Sequence, residues 1–124
     1  MRIFFVSSAL VCLLFAGCLG DSLPPATDAA KGREAMTKVL DIWMKGGKAA
    51  DLKNASPSIV AYDPDWEAGH TLTKYEIAPT DKRIGVDLLL RVTLSLKRTD
   101  GKSQDKNVSF SVAIGSPTVV LRKE

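Results

Sequence analysis

The sequence predicts a small α+β domain in which one N-terminal amphipathic helix packs on a four-stranded antiparallel meander sheet. Two patterns predict this fold class. Between residues 28 and 45, apolar residues recur at the spacing of one helix face; they are Met36, Val39, Leu40, Trp43 and Met44. From residue 84 onward, apolar residues instead occupy alternate positions, as in a half-buried strand; the first run comprises Ile84, Val86, Leu88, Leu90, Val92, Leu94 and Leu96.

The helix has signals at both ends. Thr27 or Asp28 can serve as its N-cap, because short polar side chains accept hydrogen bonds from the first free amides of a helix. Gly46-Gly47 ends it. We expect a second short helical turn over residues 48–54, followed by a loop with a brief strand at residues 59–62.

Four strands are predicted, at residues 70–78, 84–98, 107–115 and 118–122. In the third, Val108, Phe110, Val112 and Ile114 are expected to point inward. Asp100-Gly101 and Gly115-Ser116-Pro117 supply turns between strands. Because the connections are short, neighbouring strands should be antiparallel.

This order of elements resembles the cystatin-like and NTF2-like class, in which a curved antiparallel sheet wraps a helix. The resemblance covers residues 28–122 and consists of element order alone. It implies that the concave side of the sheet could bind a small ligand, but a shared fold does not establish a shared function.

The N-terminus has the three-part layout of an export signal. Arg2 precedes an apolar run from Ile3 to Phe15, and the small residues Ala16 and Gly17 lead to Cys18. The segment Phe15-Ala16-Gly17-Cys18 resembles the lipobox of bacterial lipoproteins, and departs from it at Phe15, where Leu is usual. The resemblance implies cleavage before Cys18 and acylation of its sulfur.

The chain therefore divides into a signal peptide (residues 1–17), a lipidated tether (18–27) and a single domain (28–124). The membrane is a partner through the lipid on Cys18, and the protein is expected to be exported and anchored to a bacterial cell membrane, facing the periplasm or the cell surface. The alternative is ordinary signal cleavage after Gly20, which would release a soluble domain beginning at Asp21.

Cysteine and charge restrict the chemistry of the mature chain. Cys12 leaves with the signal and Cys18 is acylated or lost, which excludes disulfides, thiolate metal sites and cysteine nucleophiles from the domain. The formal net charge is +3, and it becomes smaller when Arg2 is removed. Nucleic acid is not an expected partner. The basic residues of the C-terminal half are expected to be solvated; they are Lys97, Arg98, Lys102, Lys106, Arg122 and Lys123.

Asp63, Asp65 and Glu67 form the densest polar cluster. Their alternation is reminiscent of a calcium loop, but the twelfth position from Asp63 is Lys74, where an EF-hand needs Glu. We expect a turn whose carboxylates cap backbone amides and face solvent, with no metal. His70 is the only histidine and is expected simply to begin a strand, so the sequence predicts no catalytic residues, no cofactor and no enzyme activity.

The aromatic residues suggest contacts. Trp43 lies on the apolar face of the helix and should be in the core. Trp66 lies in a polar loop, where it either folds back over the helix end or stands exposed as a contact. Tyr62, Trp66 and Tyr75 are the candidate ligand or partner contacts. The predicted function is a non-enzymatic interaction or accessory module with a protein partner in the envelope; the alternative is a small-ligand-binding domain that uses the concave side of the sheet.

Overall fold

A computed structural model describes residues 26–123 of the chain. The predicted signal peptide, Cys18 and nearly all of the tether lie outside these residues. The elements, in chain order, are α1 (Ala29–Met44), a 3-10 helix (Ala49–Asn54), β1 (Ile59–Tyr62), the one-turn helix α2 (Pro64–Glu67), β2 (Thr71–Ile84), β3 (Asp87–Lys97), β4 (Ser103–Ala113) and β5 (Thr118–Arg122). The α+β class is confirmed.

Helix α1 begins and ends close to the predicted positions. Asp28 is the N-cap, and its side chain accepts a hydrogen bond from the Lys31 amide at 3.0 Å. That hydrogen bond lowers the pKa of the Asp28 carboxyl. At the other end the chain leaves the helix through Gly46, whose φ of 86° suits a residue without a Cβ.

The sheet is not the predicted four-stranded antiparallel meander. It has five strands in the order β1-β5-β4-β3-β2, and β1 pairs with β5 in parallel. The brief strand predicted at residues 59–62 is present as β1 and is the fifth strand of the sheet. Its partner lies near the other end of the chain, in register Ile59 with Thr118 and Tyr62 with Leu121. The sheet is therefore mixed.

The inner face of the sheet and the apolar face of α1 enclose one core. In the pairing of β3 with β4, Leu88 lies opposite Val112 and Leu90 lies opposite Phe110. These residues follow the predicted alternation of inward-facing positions. The completely buried residues of this core include Met36, Leu40, Leu88, Leu90, Leu94, Val112 and Val120. Side chains thus fill the space between α1 and the sheet.

Four apolar residues predicted to face inward are exposed instead. Met44, at the end of α1, is 40% exposed. Ile84 belongs to β2 rather than to β3, because β2 continues past Pro79 with a register shift between Ile77 and Asp81. Pro79 is tolerated there because β2 is an edge strand. Val86 then falls in the turn and Ile114 follows the end of β4, so the alternation no longer applies to them; the exposed fractions are 53% for Ile84, 39% for Val86 and 37% for Ile114.

Candidate functional site

Trp66 folds back onto the end of α1. Its ring stacks on Trp43, with centroids 5.3 Å apart and planes inclined by 12°. Trp43 is 2% exposed and belongs to the core, as predicted, while Trp66 is half-buried. The first of the two alternatives for Trp66 is confirmed, because one indole face covers Trp43.

Two backbone carbonyls hold the stacked rings in place. Trp43 Nε1 donates to the His70 carbonyl at 3.0 Å, and Trp66 Nε1 donates to the Gly47 carbonyl at 3.1 Å. Each indole therefore joins two segments that are distant in sequence. Since a buried indole N–H needs an acceptor, these bonds also satisfy the polar atoms of the stack.

A groove of about 430 Å³ opens beside this stack. Its size falls within the range of small-molecule sites, about 300–1,000 Å³. The walls come from the end of α1, the start of the 3-10 helix, α2 and the start of β2; the lining residues used below are Trp66, Gly46, Gly47, Lys48, Glu67 and His70. We call this feature the tryptophan groove.

The rim of the tryptophan groove carries one cation and one anion. Lys48 and Glu67 are both exposed, and neither side chain forms an ion pair within residues 26–123. The groove therefore offers an aromatic surface between two charges of opposite sign. Such a surface can hold a small polar molecule that has one apolar face.

The acidic loop is buried rather than solvated, so the expectation that its carboxylates face solvent was wrong. Asp63 is 3% and Asp65 is 8% exposed. Asp63 Oδ1 caps α2 by accepting the amides of Asp65 and Trp66 at 2.7 and 3.1 Å, as expected of a capping residue. Glu67 alone of the three predicted carboxylates is exposed.

Cations from β4 and β5 neutralise these carboxylates. Arg122 Nη1 lies 2.8 Å from Asp63 Oδ2 and 2.8 Å from Asp65 Oδ2, and Lys106 Nζ lies 3.0 Å from Asp65 Oδ2. The prediction that Lys106 and Arg122 are simply solvated was therefore wrong; the Arg122 side chain is 7% exposed. Sequence reasoning missed the pairs because their partners are 41 and 57 residues apart.

The ion pairs determine the protonation of this cluster. Burial by itself would raise the pKa of Asp65, but hydrogen bonds from Arg122 and Lys106 outweigh it and hold that pKa below its ordinary value. Burial likewise disfavours the charged guanidinium, yet the two carboxylates raise the pKa of Arg122. A carboxylate stabilised as the anion by two cations is a weak proton acceptor, so the cluster is built for structure rather than for acid–base chemistry.

His70 joins the ion cluster to the groove. Its Nε2 lies 3.9 Å from Asp65 Oδ1, and its Nδ1 accepts the Thr99 amide at 3.3 Å. His70 thus does more than begin β2, because it fixes the wall of the groove against the β3–β4 turn.

The other two candidate contact residues lie elsewhere. Tyr62 is 48% exposed on the outer face of β1. Tyr75 is half-buried on β2, and its hydroxyl donates to Asp41 Oδ1 at 2.8 Å. Burial and the hydrogen bond to that carboxylate raise the pKa of Tyr75. Neither tyrosine lines the tryptophan groove, so the structure does not bring the three predicted contacts together.

Two further properties concern metals and membranes. Within residues 26–123, no group of three His, Cys, Asp or Glu side chains is arranged to hold a metal ion. None of the helices in this part of the chain is both long enough and apolar enough to span a bilayer.

Comparison of the chain with protein-family models, with curated proteins and with solved structures finds no match.

Proposed function

We propose that this protein is a lipid-anchored bacterial envelope protein whose domain is a non-enzymatic interaction or accessory module. The observation that carries the proposal is Cys18, placed directly after Phe15-Ala16-Gly17 at the end of an apolar run. One acyl chain holds a protein to a bilayer only marginally, whereas the two or three chains of a lipoprotein give a stable anchor.

The structure supports a module that works through its surface. Side chains fill the space between α1 and the sheet. Asp63 and Asp65 form ion pairs with Arg122 and Lys106. The cystatin-like or NTF2-like description of the fold is part of this proposal. It is supported by the order of elements, a helix followed by strands that pack against it.

Metabolic labelling with a fatty-acid probe tests the anchor. The wild-type protein should be labelled and found with membranes, and Cys18→Ala should be unlabelled. Cys12→Ala is the matched control, because the same substitution within the signal leaves the acylated residue in place and should not reduce labelling. An unlabelled wild-type protein in the soluble fraction would contradict the proposal.

A second candidate function is small-ligand binding, which the tryptophan groove favours. The site would then lie at the end of α1, not on the filled concave side of the sheet. A metabolite screen by intrinsic fluorescence tests it, since Trp43 remains as a reporter when Trp66 is removed. We expect a saturable shift in the wild type that is lost in Trp66→Ala and kept in Tyr62→Phe. No shift across the screen would count against a binder.

A further inference from the structure

The start of the domain is tied to one end of the sheet. The Thr27 amide donates to the Val86 carbonyl at 2.9 Å, and Thr27 Oγ1 accepts the Ile114 amide at 3.3 Å. The Arg83 guanidinium donates to the Thr27 carbonyl. Thr27 is 5% exposed. The chain that comes from Cys18 therefore joins the domain at a defined place, between the β2–β3 turn and the end of β4.

Exposed apolar side chains gather at this same place. Ile84, Val86 and Ile114 are 53%, 39% and 37% exposed. Thr27 forms hydrogen bonds to the backbones of both Val86 and Ile114, so these two residues lie on either side of the joining point. Three of the large exposed hydrophobic residues thus surround the point at which the tether joins. We call this surface the tether end.

Basic side chains flank the apolar residues of the tether end. Lys31, Lys82 and Arg83 are exposed there. Of the carboxylates at this end, Asp28 caps α1 and Asp87 accepts the Ser111 hydroxyl at 3.3 Å, while Glu34 is exposed beside Lys31. Asp81 is paired with Arg33 at 3.1 Å. Exposed apolar residues beside cations are the chemistry of a surface that meets lipid headgroups.

The length of the tether favours contact of this end with the bilayer. Eight residues lie between Cys18 and Thr27, so the two residues are no more than about 32 Å apart when the tether is fully extended. The eleven residues of β3 alone span about 36 Å. A tether no longer than the sheet limits how far the tether end can move from the membrane surface.

We propose that the tether end docks on the surface of the bilayer that holds the Cys18 anchor. Ile84, Val86 and Ile114 would lie at the level of the headgroups, while Lys31 and Lys82 contact anionic lipids. The tryptophan groove, at the opposite end of α1, would then face away from the membrane. This inference rests on the lipid anchor of the proposed function.

The acylated protein suits labelling with a thiol-reactive fluorophore, because Cys18 has no free thiol once it is acylated. A cysteine introduced at Val86→Cys can therefore carry an environment-sensitive fluorophore as the only thiol label. Met44→Cys is the matched control, since Met44 is 40% exposed against 39% for Val86 and lies at the opposite end of α1. Both proteins are placed in vesicles of phosphatidylethanolamine and phosphatidylglycerol that contain a spin-labelled quencher lipid.

We expect the label at position 86 to be blue-shifted and quenched, and the label at position 44 to be unaffected. Equal quenching at both positions, or no quenching at position 86 in protein that floats with the vesicles, would overturn the docking. Flotation and fatty-acid labelling report on the anchor separately. A chain that is neither labelled nor floated would overturn the anchor, and the docking with it.

Further substitutions separate the contribution of the apolar residues to docking from that of the lysines. Ile84→Ser with Ile114→Ser should reduce quenching at position 86 in every vesicle. Lys31→Gln and Lys82→Gln should each lower the ratio of docked to undocked protein, obtained from the quenching, about fivefold where phosphatidylglycerol is present, and not in neutral phosphatidylcholine. Tryptophan fluorescence of the Trp43–Trp66 stack checks that each variant is folded. Quenching unchanged by all of these substitutions would contradict the assignment of the surface.

Discussion

Asp65 illustrates how much a single residue depends on distant partners. It lies in a polar loop next to Trp66, yet it is 8% exposed and contacts Lys106 and Arg122 from the last two strands. Removing one member of a buried ion pair is more harmful than the pair is favourable, because the remaining charge stays buried without compensation. The cluster therefore ties α2 to β4 and β5.

The lowered pKa of Asp65 predicts a loss of stability in acid. Its folded pKa lies below the ordinary value of 3.8, so the stabilisation is complete above that value and is lost as the pH falls through the folded pKa, because the unfolded chain binds the proton first. Asp65→Asn should cost about 3 kcal/mol near pH 7. The difference from the wild type should shrink below about pH 4. Urea unfolding of the two proteins between acid and neutral pH measures the cost at pH 7 and its decrease in acid.

Asp105→Asn is the matched control for this prediction, since Asp105 is exposed on the outer face of β4. It should change the free energy of unfolding by less than about 0.5 kcal/mol at any pH. If Asp65→Asn behaves in the same way, the ion cluster does not stabilise the fold.

At the scale of the element, α1 shows that helix propensity and packing can oppose each other. Gly32 lies in the first half of the helix, where glycine costs about 1 kcal/mol relative to alanine. The residue is buried against the sheet, and a Cβ at this position would lie 2.6 Å from Leu88 Cδ2. Glycine thus allows the helix to approach β3 closely.

Gly32→Ala should therefore destabilise the domain by about 1–3 kcal/mol, although alanine is the better helix former. Leu88 is completely buried, so turning its side chain away from the new Cβ would disturb the packed core. A double-mutant cycle tests whether contact with Leu88 is the cause. It uses chemical unfolding of Gly32→Ala, Leu88→Val and the double variant. The double variant should lose less free energy of unfolding than the two single variants together, because valine at position 88 leaves more room for the new Cβ. Stabilisation by Gly32→Ala alone would show that propensity outweighs packing here.

At the scale of the whole molecule, the parallel pairing of β1 with β5 completes the sheet. Short connections correctly predicted the antiparallel order of β2, β3, β4 and β5, because a tight turn leaves the chain no other neighbour. The position of β1 could not be predicted in that way. Its partner Thr118 is separated from Ile59 by most of the domain, and a four-residue strand has too little pattern to indicate a partner so distant.

The two ends of the molecule have different chemistry. The tether end presents Ile84, Val86 and Ile114, while the other end holds the tryptophan groove and the Asp65 cluster. If the tether end meets the bilayer, the groove is the part of the domain best placed to meet a ligand or partner in the aqueous compartment. Anchoring and recognition would then occupy opposite ends of one core.

Local patterns were enough to predict α1, the alternation of β3 and β4, the turns between them and the candidate lipid attachment at Cys18, because periodicity, capping and signal layout are local properties of the chain. Three features are visible only in the folded chain: β1 joins β5, Arg122 and Lys106 neutralise Asp63 and Asp65, and Ile84 and Val86 face outward. These features depend on contacts between residues far apart in sequence, and on a register shift in β2 that no local pattern encodes. The same holds for the tryptophan groove, whose walls meet only when the core has formed.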